Sequence, residues 1–265
     1  MLPRQRSCDC LMEYDASTFV LIMLVFLIAG TIKGVVGLGL PPVVLGLLTA
    51  MIGIYPAMVM VAMPAFVTNF YQAASGNNAR FLGREHWGFF LCATLFVGVG
   101  CWMALLVNHQ SMAFMLGILL TIYGVAGLYN FRFVIQQRWQ SVFGVVMGMC
   151  NGIFTGLTGS SAVPGVFYLQ SSGLSKEQLI QAMGILFTFS SASLSVALYL
   201  QNQLTVFSGA ISLVALIPAV FGMYIGALIR KRLSVKAFQT TFYISLLVLG
   251  LFIVVKNSGI WSWEI

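Results

Sequence analysis

Long apolar runs alternate along the chain with short charged or glycine-rich interruptions. Read between Gly, Pro and charge, the runs form two sets of five, the first at about 18–33, 38–51, 55–75, 87–107 and 112–131. The second set lies at about 138–155, 160–171, 176–200, 204–229 and 235–256. Runs such as Trp87–Val107 and Val235–Val255 suit a bilayer-crossing helix of about 20 residues and lack the alternation of barrel strands. The second run of each set, about 12–14 residues, is too short to cross alone and follows a stretch rich in Gly, Ser and Thr. The pattern therefore predicts an all-α, polytopic integral membrane protein in which a broken or re-entrant pair opens each set.

The two sets resemble each other. Gly39, Gly53, Ala62, Met63 and Thr68 match Gly159, Gly173, Ala182, Met183 and Thr188 at one constant offset. Gly98, Ala113 and Phe114 match Gly222, Ala237 and Phe238 at a slightly larger one. A weak internal symmetry of this kind marks transporter repeats. The organisation expected is a tail at 1–17, repeats at 18–133 and 134–256, and a tail at 257–265.

Five alternating segments per repeat put Arg80, Arg84, Arg132, Arg138, Lys176, Arg230, Lys231, Arg232 and Lys236 on one side, which is the cytoplasm by the positive-inside rule. Corresponding loops then fall on opposite sides, so the repeats are expected to be inverted. Both termini face outward, with Arg4, Arg6 and Lys256 on the unfavoured side. The first apolar run is read as a retained span, because Asp9, Glu13 and Asp15 precede it and no small-residue cleavage site follows.

Composition agrees with this picture. Of 265 residues 60% are hydrophobic and only 7% charged, against roughly 25% charged in a soluble domain. The net charge of +7 lies in loop clusters, which argues against a nucleic-acid partner. Cys92, Cys101 and Cys150 fall inside apolar spans, and Cys8-Asp9-Cys10 lacks a second ligand pair, so neither metal nor cofactor is expected.

Lys33 is the one charged residue placed inside a span. Such a charge defaults to function, although a lysine can also snorkel to an interface. It lies in Gly30-Thr31-Ile32-Lys33-Gly34-Val35-Val36-Gly37-Leu38-Gly39, whose glycines let the backbone leave the helix. The counterpart is Asn151-Gly152-Ile153-Phe154-Thr155-Gly156-Leu157-Thr158-Gly159-Ser160-Ser161. Two such breaks would aim two helix N-termini at mid-membrane and make an anion site; the alternative is that the glycines only allow close helix packing. The candidate substrate-binding residues are Lys33, Gly34, Gly37, Gly39, Thr68, Asn151, Thr155, Gly156, Thr158, Gly159, Ser160, Ser161, Thr188 and Ser191. Gln181, Gly184, Thr188, Ser191 and Ser195 form a polar stripe at helical spacing, matched more sparsely by Pro64, Thr68 and Gln72 with Asn69 beside them. Most of these polar side chains are expected to pack helices. Pro64 and Pro218 fall mid-span, and Ser175 with Gln178 reads as a capping box.

At these glycine-rich stretches, Lys33 to Gly39 and Asn151 to Gly159, the chain resembles the sulfite exporter TauE/SafE family, also called the four-toluene sulfonate uptake permease family. The resemblance covers nearly the whole chain and implies transport of sulfite, a sulfonate or a related sulfur oxyanion across a bacterial inner membrane. Pro41 and Pro42 in the first half and Ser160 and Ser161 in the second depart from the family's glycine runs. The expected partners are a small anionic solute and the lipid bilayer, with a homo-oligomer left open. Three other readings remain: an anion-selective channel, a non-transporting scaffold, and an intramembrane serine hydrolase using Ser160 or Ser161, whose only base within the spans would be Lys33.

Overall fold

The computed structural model describes residues 15–129, 135–204, 206–230 and 235–258. Cys8, Asp9 and Cys10, most of the N-terminal tail, Arg132, Lys231, Arg232 and the end of the C-terminal tail lie outside these residues. All the secondary structure described is helical. The first half holds α1 (Ala16–Val36), α2 (Leu40–Ile52), α3 (Ile54–Ala74), α4 (Ala79–Glu85), α5 (Trp87–Ala104) and α6 (His109–Leu128). The second holds α7 (Gln137–Thr158), α8 (Gly165–Ser171), α9 (Lys176–Leu200), α10 (Val206–Arg230) and α11 (Val235–Asn257).

Eight of these helices are long and apolar enough to cross a membrane, which makes the chain a multi-pass membrane protein. Its outer surface is correspondingly greasy, with Leu95, Ile217, Phe221 and Val248 each more than half exposed. In hydrocarbon only such helices satisfy every backbone group internally. The short second segments, α2 and α8, cannot cross alone. One element was not anticipated: α4 forms within the basic 76–86 connection, tucking Leu82 inward and leaving Arg80 and Arg84 exposed.

Pairing between the halves follows a twofold pattern. The first helix of each half packs along the fourth apolar segment of the other, α1 on α10 and α7 on α5. Glycines set the distance. A Cβ on Gly30 would overlap the Ala219 carbonyl, one on Gly34 the Met223 carbonyl, and one on Gly156 the backbone of Val97 and Cys101. The two third spans meet as well, and there the C-terminal end of α3 lies against the start of α9: Gln72 Nε2 donates to Ile180 O (2.8 Å) and Gln181 Nε2 to Gly76 O (2.8 Å). α6 and α11 also run antiparallel, Gly117 facing Gly250 and Gly127 facing Tyr243. The α10 glycine Gly222 lies against Thr31, and on α5 it is Gly100, not Gly98, that meets the opposing backbone at Ile153. Gly98 faces open space, so its sequence match to Gly222 does not reflect equivalent packing.

Ser175 caps α9 in the expected box, its Oγ accepting from Gln178 N while Gln178 Oε1 accepts from Ser175 N. Pro64 and Pro218 lie inside α3 and α10 without ending either helix. Between α4 and α5, His86 is buried with Nδ1 3.0 Å from Tyr168 Oη on α8. Burial lowers its pKa below the ordinary 6.5, and neighbouring Glu85 only partly opposes this.

Two outcomes follow from this packing. Gly156→Leu should cost about 1–3 kcal/mol through overpacking, read as a lower thermal unfolding temperature in detergent, whereas Gly98→Ala should leave that temperature unchanged. For His86 the folded state resists a proton that the unfolded chain accepts. Stability is then complete above pH 6.5 and falls as pH drops through the lowered folded value. His86→Gln should flatten that slope in unfolding scans between about pH 5 and 7.5.

Candidate functional site

The backbone breaks lie slightly later than the glycine pattern suggested. α1 continues through Gly30, Lys33 and Gly34, and α7 through Asn151, Gly152, Thr155 and Gly156. Those glycines are packing surfaces, because a helical glycine beside another backbone gains more from close approach than from bending. The chain leaves the helix only at Gly37 and Gly159, both in the left-handed region (φ 84° and 76°) that favours glycine. Each closes its helix with the same bond, Gly37 N to Lys33 O and Gly159 N to Thr155 O, both 2.7 Å. Lys33 and Thr155 thus hold the same post, four residues before the cap, one charged and the other neutral.

After the first break Gly39 (φ 108°) leads into α2, whose next residues are Leu40, Pro41 and Pro42. After the second, residues 160–164 are non-helical and α8 begins only at Gly165, later than the predicted 160–171 segment. Neither helix start offers the fan of free donors that a helix N-terminus normally carries. Pro41 and Pro42 have no N–H to give, and Gly165 N already donates to Asn151 Oδ1 (2.9 Å). The unspent donors are in the breaks themselves. Among the described residues, the N–H groups of Leu38, Gly39 and Leu40, and those of Ser161, Ala162 and Val163, have no protein acceptor.

Both breaks border one enclosed inner cavity. Leu38, Gly39, Pro41 and Pro42 line it from the first half and Thr155, Gly159, Ser161 and Ala162 from the second; Asn69, Tyr123 and Ser191 complete its polar wall. The space leaves the centre of a water-sized sphere about 20 Å³, enough for a water or a little more. A wider, more polar vestibule of about 500 Å³ by the same measure is lined by Lys33, Gly34, Gly37, Thr68, Gln72, Asn77, Asn78, Glu177, Gln181 and Arg230.

Lys33 joins the two spaces. Its side chain is 3% exposed, and Nζ donates to Thr68 Oγ1 (3.0 Å) and to Asn69 Oδ1. Thr68 is a vestibule residue and Asn69 an inner-cavity residue. No carboxylate pairs with Lys33 among the described residues. Thr68 keeps its own proton on Pro64 O (2.7 Å), so its oxygen is free to accept from the ammonium.

The predicted site residues therefore separate into groups. Gly39, Thr155, Gly159, Ser161 and Ser191 line the inner cavity, and Lys33, Gly34, Gly37 and Thr68 the vestibule. Asn151, Gly156, Thr158, Ser160 and Thr188 line neither. Asn151 secures α8, Thr158 Oγ1 accepts from Ser160 N (3.3 Å), and Thr188 Oγ1 donates back to Gly184 O (2.7 Å). Ser161 Oγ lies 3.0 Å from Thr155 Oγ1, while Lys33 is committed to Thr68 and Asn69, so the nucleophile and base of a hydrolase are not joined. Asn69 and Tyr123 are the polar cavity residues missing from the sequence-based set. An amide and a phenol within apolar spans were the available signals, but Asn69 follows Thr68 directly and so sits off the Thr68 face at helical spacing. No group of three or more metal-ligating side chains occurs among the described residues.

A multi-pass bundle whose two halves each contribute a broken helix to a shared inner cavity has the build of a membrane transporter. The sulfite exporter TauE/SafE family matches residues 22–253, nearly the whole chain, and the protein belongs to that family. No curated protein and no solved structure matches it.

The two spaces differ in access. In a background without the native cysteines, Asn77→Cys in the vestibule should react with a small membrane-impermeant thiol reagent. Ala62→Cys in the inner cavity should react at least about tenfold more slowly, as enclosure predicts.

Proposed function

We propose that the protein carries a small sulfur oxyanion, sulfite or a simple sulfonate, by alternating access, with its binding site at the inner cavity, which widens from the water-sized space of this conformation as the halves rock. The observation that supports this most is the convergence of both backbone breaks on one cavity beside a buried ammonium that has no carboxylate partner among the described residues. A buried ammonium inside a membrane bundle is costly. An anion arriving beside it removes part of that cost, which gives selective binding.

The antiparallel pairing of α3 with α9 and of α6 with α11 supports inverted repeats over 18–133 and 134–256. In this reading the halves rock around the cavity, and the protein sits in a bacterial inner membrane. The vestibule shares its rim with Arg230 and the Asn77–Asn78 turn that leads to Arg80 and Arg84, so by the positive-inside rule it opens to the cytoplasm.

In proteoliposomes the wild-type protein should show saturable counterflow of sulfite or a small sulfonate, with and without a pH gradient distinguishing coupled from uncoupled exchange. Lys33→Met should lower that flux about 10–100-fold, the worth of charge-assisted hydrogen bonds lost from the site. Full flux at unchanged affinity in Lys33→Met would overturn the assignment, and single-channel currents would make the protein a pore.

A further inference from the structure

Asn69 is 1% exposed and lies in the wall of the inner cavity. Its amide can be oriented from chemistry alone. An ammonium has donors and no acceptor, so the atom facing Lys33 Nζ must be the carbonyl oxygen Oδ1. The amide nitrogen therefore points elsewhere, and Nδ2 is buried without any hydrogen-bond partner. An unpaired buried donor costs about 1–3 kcal/mol. Here the group carries two N–H bonds, and the bond that Oδ1 accepts from a cation polarises them further. The cavity hydroxyls spend their protons on the backbone, Ser191 Oγ on Phe187 O (2.6 Å) and Thr155 Oγ1 on Asn151 O (2.7 Å), and Nδ2 is bonded to neither oxygen.

Resting on the transport reading above, we infer that Asn69 is a substrate-binding residue of the inner cavity, its Nδ2 hydrogens donated to an oxyanion oxygen, and that Lys33 acts on this cavity through it. Lys33 is then a positioning residue for the occluded solute. It fixes the amide so that two donors face inward, and it strengthens them without leaving the wall between the two spaces. Thr68 holds the other side of the ammonium. One cation thereby serves both spaces, directly in the vestibule and through an amide in the cavity.

The test uses the full-length protein in proteoliposomes, with sulfite as the probe. Asn69→Asp is nearly isosteric and keeps an acceptor for Lys33, but replaces two donors with a negative charge. Its counterflow should fall about 100-fold or more, while its elution profile and thermal unfolding stay close to wild type. Asn69→Ser, which retains a smaller donor, should raise KM about tenfold with a lesser change in maximal rate. The double variant Lys33→Met/Asn69→Ser should be little worse than Lys33→Met alone, because both changes interrupt one path. Wild-type-like flux in Asn69→Asp, an unchanged KM in Asn69→Ser, or additive losses in the double variant would each overturn the inference while leaving anion transport standing. Absence of flux in the wild type would instead sink the transport reading itself. Should Asn69→Asp fail to fold, the KM of Asn69→Ser and the double-variant comparison decide the matter.

Discussion

An ammonium enclosed by neutral groups is the constraint on which the centre of this molecule turns. Lys33 sits where no carboxylate among the described residues pairs with it, held by one hydroxyl and one amide oxygen. Removing an ion from water is costly even after the protein relaxes around it. The surroundings must therefore supply fixed acceptors on one side and room for an opposite charge on the other. The α1 cap, the Thr68–Asn69 pair on α3 and the narrow wall between two spaces all meet that demand at one place.

Keeping the wall narrow depends on backbone-to-backbone packing elsewhere. Without a hydrophobic drive between helices in lipid, close contact comes from small residues that let main chains approach. Gly30, Gly34 and Gly156 serve in this way, and they lie on the same two helices whose ends border the cavity. A side chain at any of them would push α1 or α7 outward and move the breaks with it. The residues that hold the scaffold and those that line the cavities are interleaved along one short stretch. This is why a glycine-rich run cannot be read as a ligand loop throughout.

That interleaving also explains what the amino-acid sequence disclosed. Membrane helices, their number and most of their limits were legible, because long apolar runs bounded by charge have few alternative explanations. The capping box of α9 was equally plain from Ser175 and Gln178. The exact exit from α1 was not, since Gly30, Gly34, Gly37 and Gly39 look alike on paper and only their tertiary neighbours separate packing from turning. Asn151 and Thr188 looked like site residues, but Asn151 Oδ1 accepts from the backbone of Gly165, Thr188 Oγ1 donates to that of Gly184, and neither lines the cavity. Asn69 looked incidental because its role depends on Lys33, a partner 36 residues away that only the packing of α1 on the bundle brings near. The helix α4 was hidden by its shortness and its two arginines.

The matched posts occupied by Lys33 and Thr155 carry one last implication. Two halves alike in shape but unlike in charge cannot give a rocking carrier mirror-image end states. In the carrier proposed above, the half with the cation would grip a negative solute more firmly, and the solute would dissociate at different rates toward the two faces of the membrane. A gradient still sets the direction of net movement, yet the concentration at which each face saturates need not be the same. On that proposal the likeness of the halves provides the rocking, and a single unshared ammonium makes its two openings unequal.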